Sequence, residues 1–293
     1  MLLEREEPAT MLASALARVR DSGVGEVVTV AGEAGIGKTA LLREFTAGIG
    51  AAARILRGGC DAMRTPRPLG PLFDLAPAAG PALQDALIGG APREVIFAAA
   101  VAALRPCGRP TVMIVEDLHW ADEATLDLIG FLGRRIGETG ALLLLSYRDD
   151  QLDPTHGLRV VVGEMVGVIG DRIALRPLTL PSVAALAAPS GLDPAELYRR
   201  TGGNPFYVTE CLAAGRGAGS WPRGTAAPST DAAVPAIPRS VRDAVLARAS
   251  HLSAPARRTL EACSISPGQI EMWLLESMIG ADDLRHVDEC VDG

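Results

Sequence analysis

Apolar residues in the first part of the chain fall into short unbroken runs, set apart by longer stretches with helical spacing. Glu26-Val27-Val28-Thr29-Val30-Ala31, Thr111-Val112-Met113-Ile114-Val115 and Ala141-Leu142-Leu143-Leu144-Leu145 lack the polar alternation of a half-exposed strand. They predict strands buried on both faces. Ala53 to Cys60 predicts a further strand, and Arg172-Ile173-Ala174-Leu175 a last one at an edge. Met11, Leu12, Leu16 and Val19 predict a helix over residues 8–22, closed by Gly23. Ala40 to Phe45 starts another, and helices are expected over 82–89, 93–105 and 158–170. Leu126, Ile129, Leu132 and Ile136 share one face of a helix for which Asp122 is the N-cap. Five prolines (Pro66, Pro68, Pro71, Pro77 and Pro81) make residues 61–81 read as an irregular connection with room for one helical turn. Strands that alternate with helices predict an α/β fold, a parallel sheet sandwiched between two helical layers.

From Pro181 onward the pattern is helical, with Val183, Leu186, Leu192, Leu197 and Tyr198 as the apolar positions and Thr201 to Tyr207 as a turn. Gly215 to Pro238 is dense in Gly, Ala, Ser, Thr and Pro and predicts a flexible linker. Beyond it, Ser240 and Ser253 are placed to cap helices, and Ile270 to Ile279 predicts a third. The expected division is therefore 1–178, 179–214, a linker over 215–237, and 238–293.

Composition narrows the function classes. The 293 residues carry a net charge of −7, with a pI near 5.2, which disfavours a non-specific nucleic-acid surface. Five cysteines (Cys60, Cys107, Cys211, Cys263 and Cys290) are scattered without C-x-x-C spacing, as expected of reduced thiols. The acidic N-terminus, Met1 to Glu7, does not resemble a signal peptide. The longest apolar run, Val95 to Leu104, falls well short of the ~18 residues of a membrane span. A cytoplasmic protein without a membrane partner is the expectation.

The chemistry is concentrated after the first buried strand. Gly32-Glu33-Ala34-Gly35-Ile36-Gly37-Lys38-Thr39 fits G-x-x-x-x-G-K-[ST] and sits between a strand and a helix, the context this phosphate-binding loop requires. Its glycines let backbone N–H groups of Glu33 to Ala40 turn toward phosphate oxygens, and the helix N-terminus adds partial positive charge. Lys38 is placed for the β/γ-phosphates and Thr39 for Mg²⁺. Lys38 is also the only lysine among 28 basic residues. In so arginine-rich a chain, lysine persists where a compact ammonium must sit among phosphates.

The strand Thr111 to Val115 ends in Glu116-Asp117, the Walker B pattern of a nucleotide site. Glu116 is expected to help hold Mg²⁺, and Asp117 to orient or deprotonate the attacking water. Arg148, at the end of the strand run Ala141 to Arg148, is placed either to sense a γ-phosphate or to pair with Asp149 or Asp150. His119, His156, His251 and His286 are too dispersed for a metal-ligand pattern. His119 and Trp120 read as packing residues of the acidic loop.

Together with Glu116-Asp117-Leu118-His119-Trp120-Ala121-Asp122, Ser146-Tyr147-Arg148 and Gly203-Asn204-Pro205, the glycine loop resembles the ATPase region of the STAND class of AAA+-related P-loop NTPases. Within that class the chain is most similar to the large ATP-binding LuxR-type (MalT-like) transcriptional regulators. The resemblance implies a P-loop NTPase three-layer sheet over 1–178, a helical lid over 179–214 and a partial winged-helix domain over 238–293. It implies ATP or ADP with Mg²⁺ as ligands and slow, regulatory hydrolysis. Arg5 is then expected near the adenine, Arg148 as a reader of nucleotide state, and Gly203 and Pro205 on the base.

The resemblance further implies self-association in the ATP state, and a sensor and DNA-binding region supplied by a partner or missing from this chain. No direct DNA binding is expected of the chain itself. Glu4 stands where many relatives have glycine, and the first Walker B acid is Glu rather than Asp. The alternatives are a truncated, inert ADP-binding remnant, or a DNA-binding regulator whose output domain lies outside this chain.

Overall fold

The unbroken apolar runs form the centre of a five-stranded sheet in which every paired neighbour is parallel. The computed structural model describes residues 2–63, 67–152, 155–217, 242–243, 245–246, 249–250, 252–265, 270–287 and 290. Its strands are β1 (Glu26–Ala31), β2 (Arg54–Gly59), β3 (Thr111–Glu116), β4 (Ala141–Tyr147) and β5 (Ile169–Ala174), in the spatial order β2-β3-β4-β1-β5. The three continuous runs are the three inner strands, and β3 is buried along its whole length. The edge strand β5 instead alternates between covered and exposed positions.

Two apolar layers flank the sheet, and alternation along each strand assigns its side chains to one or the other. Val28, Val30, Val112, Ile114, Leu142 and Leu144 pack with α1 (Glu6–Ser22) and α2 (Lys38–Ile49). Val27, Met113, Val115, Leu143 and Leu145 pack on the other face with α3 (Gly70–Ala79), α4 (Pro81–Ile88), α5 (Arg93–Leu104), α6 (Glu123–Gly133) and α7 (Gly157–Glu164). Each such fully buried aliphatic side chain stabilises the fold by about 1.5–3 kcal/mol relative to exposure. This is the three-layer α/β sandwich of a P-loop NTPase.

Within residues 1–178 the structure differs from the sequence reading in three places. Residues 70–79, expected to be irregular, form the ten-residue helix α3. Pro71 sits in its first turn, where no intrahelical N–H bond is needed, and Leu72, Leu75 and Ala76 are buried. Burial of that apolar face outweighs Pro77 in the last turn. The helix capped by Asp122, whose side chain accepts from the Thr125 N–H, ends at Gly133. Ile136 is then buried by a separate 3₁₀ turn, Ile136–Glu138. Finally, α7 stops at Glu164 and β5 already begins at Ile169, since this edge strand takes its backbone partners from β1.

Tertiary contacts divide the chain into Met1–Leu178 and Thr179–Gly293. The second unit contains α8 (Leu180–Ala187), α9 (Pro194–Thr201) and α10 (Pro205–Gly217), with α9 packed on both of its neighbours. Later described residues form α11 (Ala254–Ser264), α12 (Met272–Ile279) and α13 (Ala281–Leu284). Ser253 caps α11 through the Ala256 N–H, and Arg258 of α11 pairs with Asp283 of α13 at 2.9 Å. Residues 218–241, which hold most of the expected linker and Ser240, lie outside the described residues.

One close approach makes the seating of α3 testable. A Cβ on Gly58 of β2 would lie 2.2 Å from the Pro71 carbonyl oxygen, a backbone atom that cannot swing aside. Gly58→Ala is expected to cost about 1–3 kcal/mol, read as a lowered melting temperature. Gly59→Ala, with nothing within 4 Å of its added Cβ, is expected to melt close to wild type.

Candidate functional site

At the C-terminal end of β1 the chain turns through Gly32, Glu33, Ala34, Gly35, Ile36 and Gly37 and enters α2 at Lys38. Gly32, Gly35 and Gly37 have φ of 144°, 76° and 103°, a region that favours glycine. A Cβ on Gly32 would also press on the Leu175 carbonyl oxygen at 3.0 Å and on Ile36 at 3.1 Å. Ile36 is buried, which anchors the loop from below, and Ala40 lies in the first turn of α2. The first N–H groups of α2 have no carbonyl of their own helix to bond, so they are available to an anion.

The Lys38 ammonium is folded against its own loop. It donates to the Gly32 carbonyl at 2.5 Å and the Glu33 carbonyl at 2.9 Å. Burial, and next the positive charge of Arg148, lower its pKa to about 8, against the pull of Asp117, Asp150 and Asp149. A phosphate chain in the loop would supply the negative charge that this buried ammonium lacks.

The acidic end of β3 meets the start of α2 across the intervening β4. The Thr39 hydroxyl donates to Glu116 Oε2 at 2.8 Å. Arg57 of β2 donates through Nε to Glu116 Oε1 at 2.6 Å and pairs with the same oxygen through Nη2. Hydroxyl and carboxylate oxygens are hard donors, which suits Mg²⁺, a cation that keeps several waters and takes few protein ligands. Among the described residues, no group of three or more His, Cys, Asp or Glu is assembled to hold a metal. A cation at Thr39 and Glu116 would therefore complete its shell with water and phosphate oxygens.

Asp117 follows in the left-handed region, with φ 56° and ψ 43°. Its N–H donates to the Ser146 hydroxyl at the end of β4, at 3.3 Å. Burial raises the pKa of its carboxyl, while Arg148 and Lys38 pull it down and Glu116 pushes it up. Lys38, Asp117 and Arg148 thus share one electrostatic environment. A left-handed Asp between two tied neighbours is backbone strain of the sort held at functional sites.

His119 fixes the outer side of this loop. Its Nδ1 accepts from the Arg148 N–H at 3.4 Å, and its carbonyl accepts from His156 Nε2 at 3.2 Å. Burial, aided by Arg148, Lys38 and His156, lowers its pKa to about 3, so the ring is neutral with its proton on Nε2. The sequence reading of His119 as packing omitted this polar tie between the ends of β3 and β4. It also omitted Arg57, whose one signal was a charged residue in the interior of a predicted strand.

Arg5 N-caps α1 by position. Its guanidinium donates to the carbonyls of Glu4 (2.9 Å), Ile36 (3.0 Å) and Arg176 (2.9 Å). It thereby braces the glycine loop against the N-terminus and the segment after β5. A cavity of about 570 Å³ adjoins it, lined by residues including Glu4, Glu7, Met11, Leu175 and Pro177. Glu4, in the position where the resemblance expects glycine, has φ 55°. In the second unit, Gly203 (φ 77°) and buried Asn204 form the turn into α10, which starts at Pro205. The Asn204 side chain accepts from the Phe206 N–H at 3.1 Å.

Comparisons with known proteins agree with this geometry. Residues 1–145 match the family model described as AAA ATPase domain. No curated protein sequence matches the chain. Among solved structures, the chain is similar to the ORC1 protein of Aeropyrum pernix, solved in complex with DNA, at 16% identity and a TM-score of 0.53. That match covers 97% of this chain and 84% of that one. It is similar to the ORC2 protein of the same organism, solved as ADPNP–ADP complexes, at 17% identity and a TM-score of 0.52, covering 73% and 61%. A third match is a STAND protein with a tetratricopeptide repeat sensor from Pyrococcus horikoshii, at 18% identity and a TM-score of 0.41, covering 94% and 38%. The chain spans less than two thirds of the second and third of these proteins. The ORC matches share its fold. The β1 to β4 region has the P-loop NTPase fold and is similar to AAA ATPase domains.

The lowered pKa of Lys38 sets a pH dependence. Bound phosphates favour the ammonium form, so binding takes up a proton wherever the free protein has lost one. Affinity must then fall as pH rises through about 8. Titration with a fluorescent ADP analogue is expected to show binding about tenfold weaker at pH 9 than at pH 7. Lys38→Ala is expected to flatten that profile.

Proposed function

We propose that residues 1–178 are the ATP-binding, slowly ATP-hydrolysing switch of a signal-transduction protein of the STAND class, akin to the LuxR-type regulators. The observation that carries this reading is the 2.8 Å bond from Thr39 to Glu116, with Lys38 in the glycine loop beside it. Two sequence-distant motifs meet with the oxygen donors and the ammonium that a magnesium nucleotide needs.

In this reading, Lys38 leaves the carbonyls of Gly32 and Glu33 to bind the β/γ-phosphates. Backbone N–H groups of Glu33 to Ala40 bind the phosphate oxygens. Thr39 and Glu116 would hold Mg²⁺, which would supply positive charge against the phosphates when bound. Asp117 accepts a hydrogen bond from the attacking water and orients it; burial raises the pKa of its carboxyl, which makes it a stronger proton acceptor than a free carboxylate. Arg148 offers positive charge to the γ-phosphate, and its backbone tie to His119 relays that contact to the acidic loop.

The base is assigned to the cavity beside Arg5, which acts by bracing the loop. Gly203 and Pro205, on the turn into α10, belong to the lid of residues 179–214. Residues 238–293 are read as part of a winged-helix domain. Output would pass through self-association or through a protein partner. The net charge of −7 speaks against DNA as a direct ligand of this chain. Among the described residues, no helix is long and apolar enough to cross a membrane.

The test is phosphate release with Mg²⁺-ATP, with the bound nucleotide identified after denaturation. Wild type is expected to turn over slowly, and both Lys38→Ala and Asp117→Asn to fall to background. Asp117→Asn is expected still to carry nucleotide, since that carboxylate acts on water rather than on phosphate. Wild type that holds ADP without turnover would instead support an inert nucleotide-binding module.

A further inference from the structure

We infer that Arg57 is a positioning residue for the metal site, one that sets how tightly Mg²⁺ is held without contacting the nucleotide itself. This inference rests on the magnesium-nucleotide reading above and deepens it.

Register explains the contact. In the parallel pairing of β2 with β3, Gly59 lies opposite Glu116 and Arg57 opposite Ile114. Side chains two positions apart share a sheet face, so Arg57 and Glu116 project on the same side. Gly59, the direct neighbour of Glu116, has no side chain to intervene, and the Arg57 guanidinium reaches along the strand to the carboxylate. Both of its contacts are to Oε1. Oε2 is left for Thr39. Each oxygen has its own partner, which fixes rotation of the carboxylate about its terminal bond and turns Oε2 toward the start of α2.

The electrostatics are matched as well. The Glu116 side chain is 10% exposed and that of Arg57 is 30% exposed. A charge-assisted bond in this half-covered setting is stronger than one in bulk water, yet water still reaches the arginine. Arg57 balances Glu116, which has Asp117 as its chain neighbour. The length of Glu116 is part of the device. An aspartate at that position would be one methylene short and could not reach Arg57 and Thr39 together. The unusual first acid of this Walker B strand and the arginine on β2 are therefore one matched pair.

The experiment uses the full chain and two readouts other than turnover. Mn²⁺ serves as the probe metal, with free Mn²⁺ followed by electron paramagnetic resonance in the presence of ADP. Binding of a fluorescent ADP analogue in EDTA reports the nucleotide site alone and also checks folding. Arg57→Met is expected to weaken Mn²⁺ binding by at least about tenfold, with the EDTA affinity unchanged within about twofold. Arg57→Lys, which keeps the charge but loses the planar two-point contact, is expected to fall between Arg57→Met and wild type. Glu116→Asp is expected to resemble Arg57→Met.

Equal Mn²⁺ isotherms for wild type and Arg57→Met, with nucleotide binding intact in both, overturn this inference alone. A parallel loss of ADP affinity in EDTA for both Arg57 variants also overturns it, since Arg57 would then serve the loop rather than the metal. Wild type that binds neither the analogue nor Mn²⁺ with ADP overturns the magnesium-nucleotide reading and this inference with it.

Discussion

The hydrogen bond from Thr39 to Glu116 joins residues 77 positions apart in sequence, and the site exists only where those two side chains meet. Neither strand that delivers them touches the other. β4 lies between β1 and β3, so the glycine loop and the acidic strand end must be brought level across a third strand. The parallel pairing of β4 with β1 and with β3 fixes that level. The end of β4 must then carry something small and polar, and Ser146 fills that role, accepting from the Asp117 N–H. A bulkier residue there would push the acidic loop away from α2.

Around this contact the polar groups are tied in pairs: Thr39 and Arg57 with Glu116, the His119 ring with the Arg148 N–H, and the Arg5 guanidinium with the loop carbonyl of Ile36. Lys38 is the exception, a buried ammonium that bonds only loop carbonyls and has its charge disfavoured by burial. Its free energy improves when an anion enters, which makes the loop receptive. The pinned carboxylate and the buried ammonium divide the work: one holds geometry and the other responds to ligand.

Much of the fold was legible in the chain because burial leaves a direct trace. The inner strands show as unbroken aliphatic runs and the edge strand as an alternating one. The glycine loop was equally legible, since its backbone angles demand glycine at fixed positions. Strand order was not, because nothing local in β4 says that it inserts between β1 and β3. α3 was hidden by prolines whose cost depends on their place in a helix that could not be seen. Arg57 was missed for the same kind of reason. Its meaning lies in register with Glu116, a relation between strands that no run of residues records.

The central claim, that this loop is a nucleotide site centred on Lys38, is tested most directly by calorimetric titration of the protein with Mg²⁺-ADP, with Lys38→Ala beside it. The account predicts saturable one-to-one binding by wild type and much weaker binding by the variant, with both proteins melting cooperatively. Equal binding by the two proteins, or no binding by a folded wild type, would contradict it.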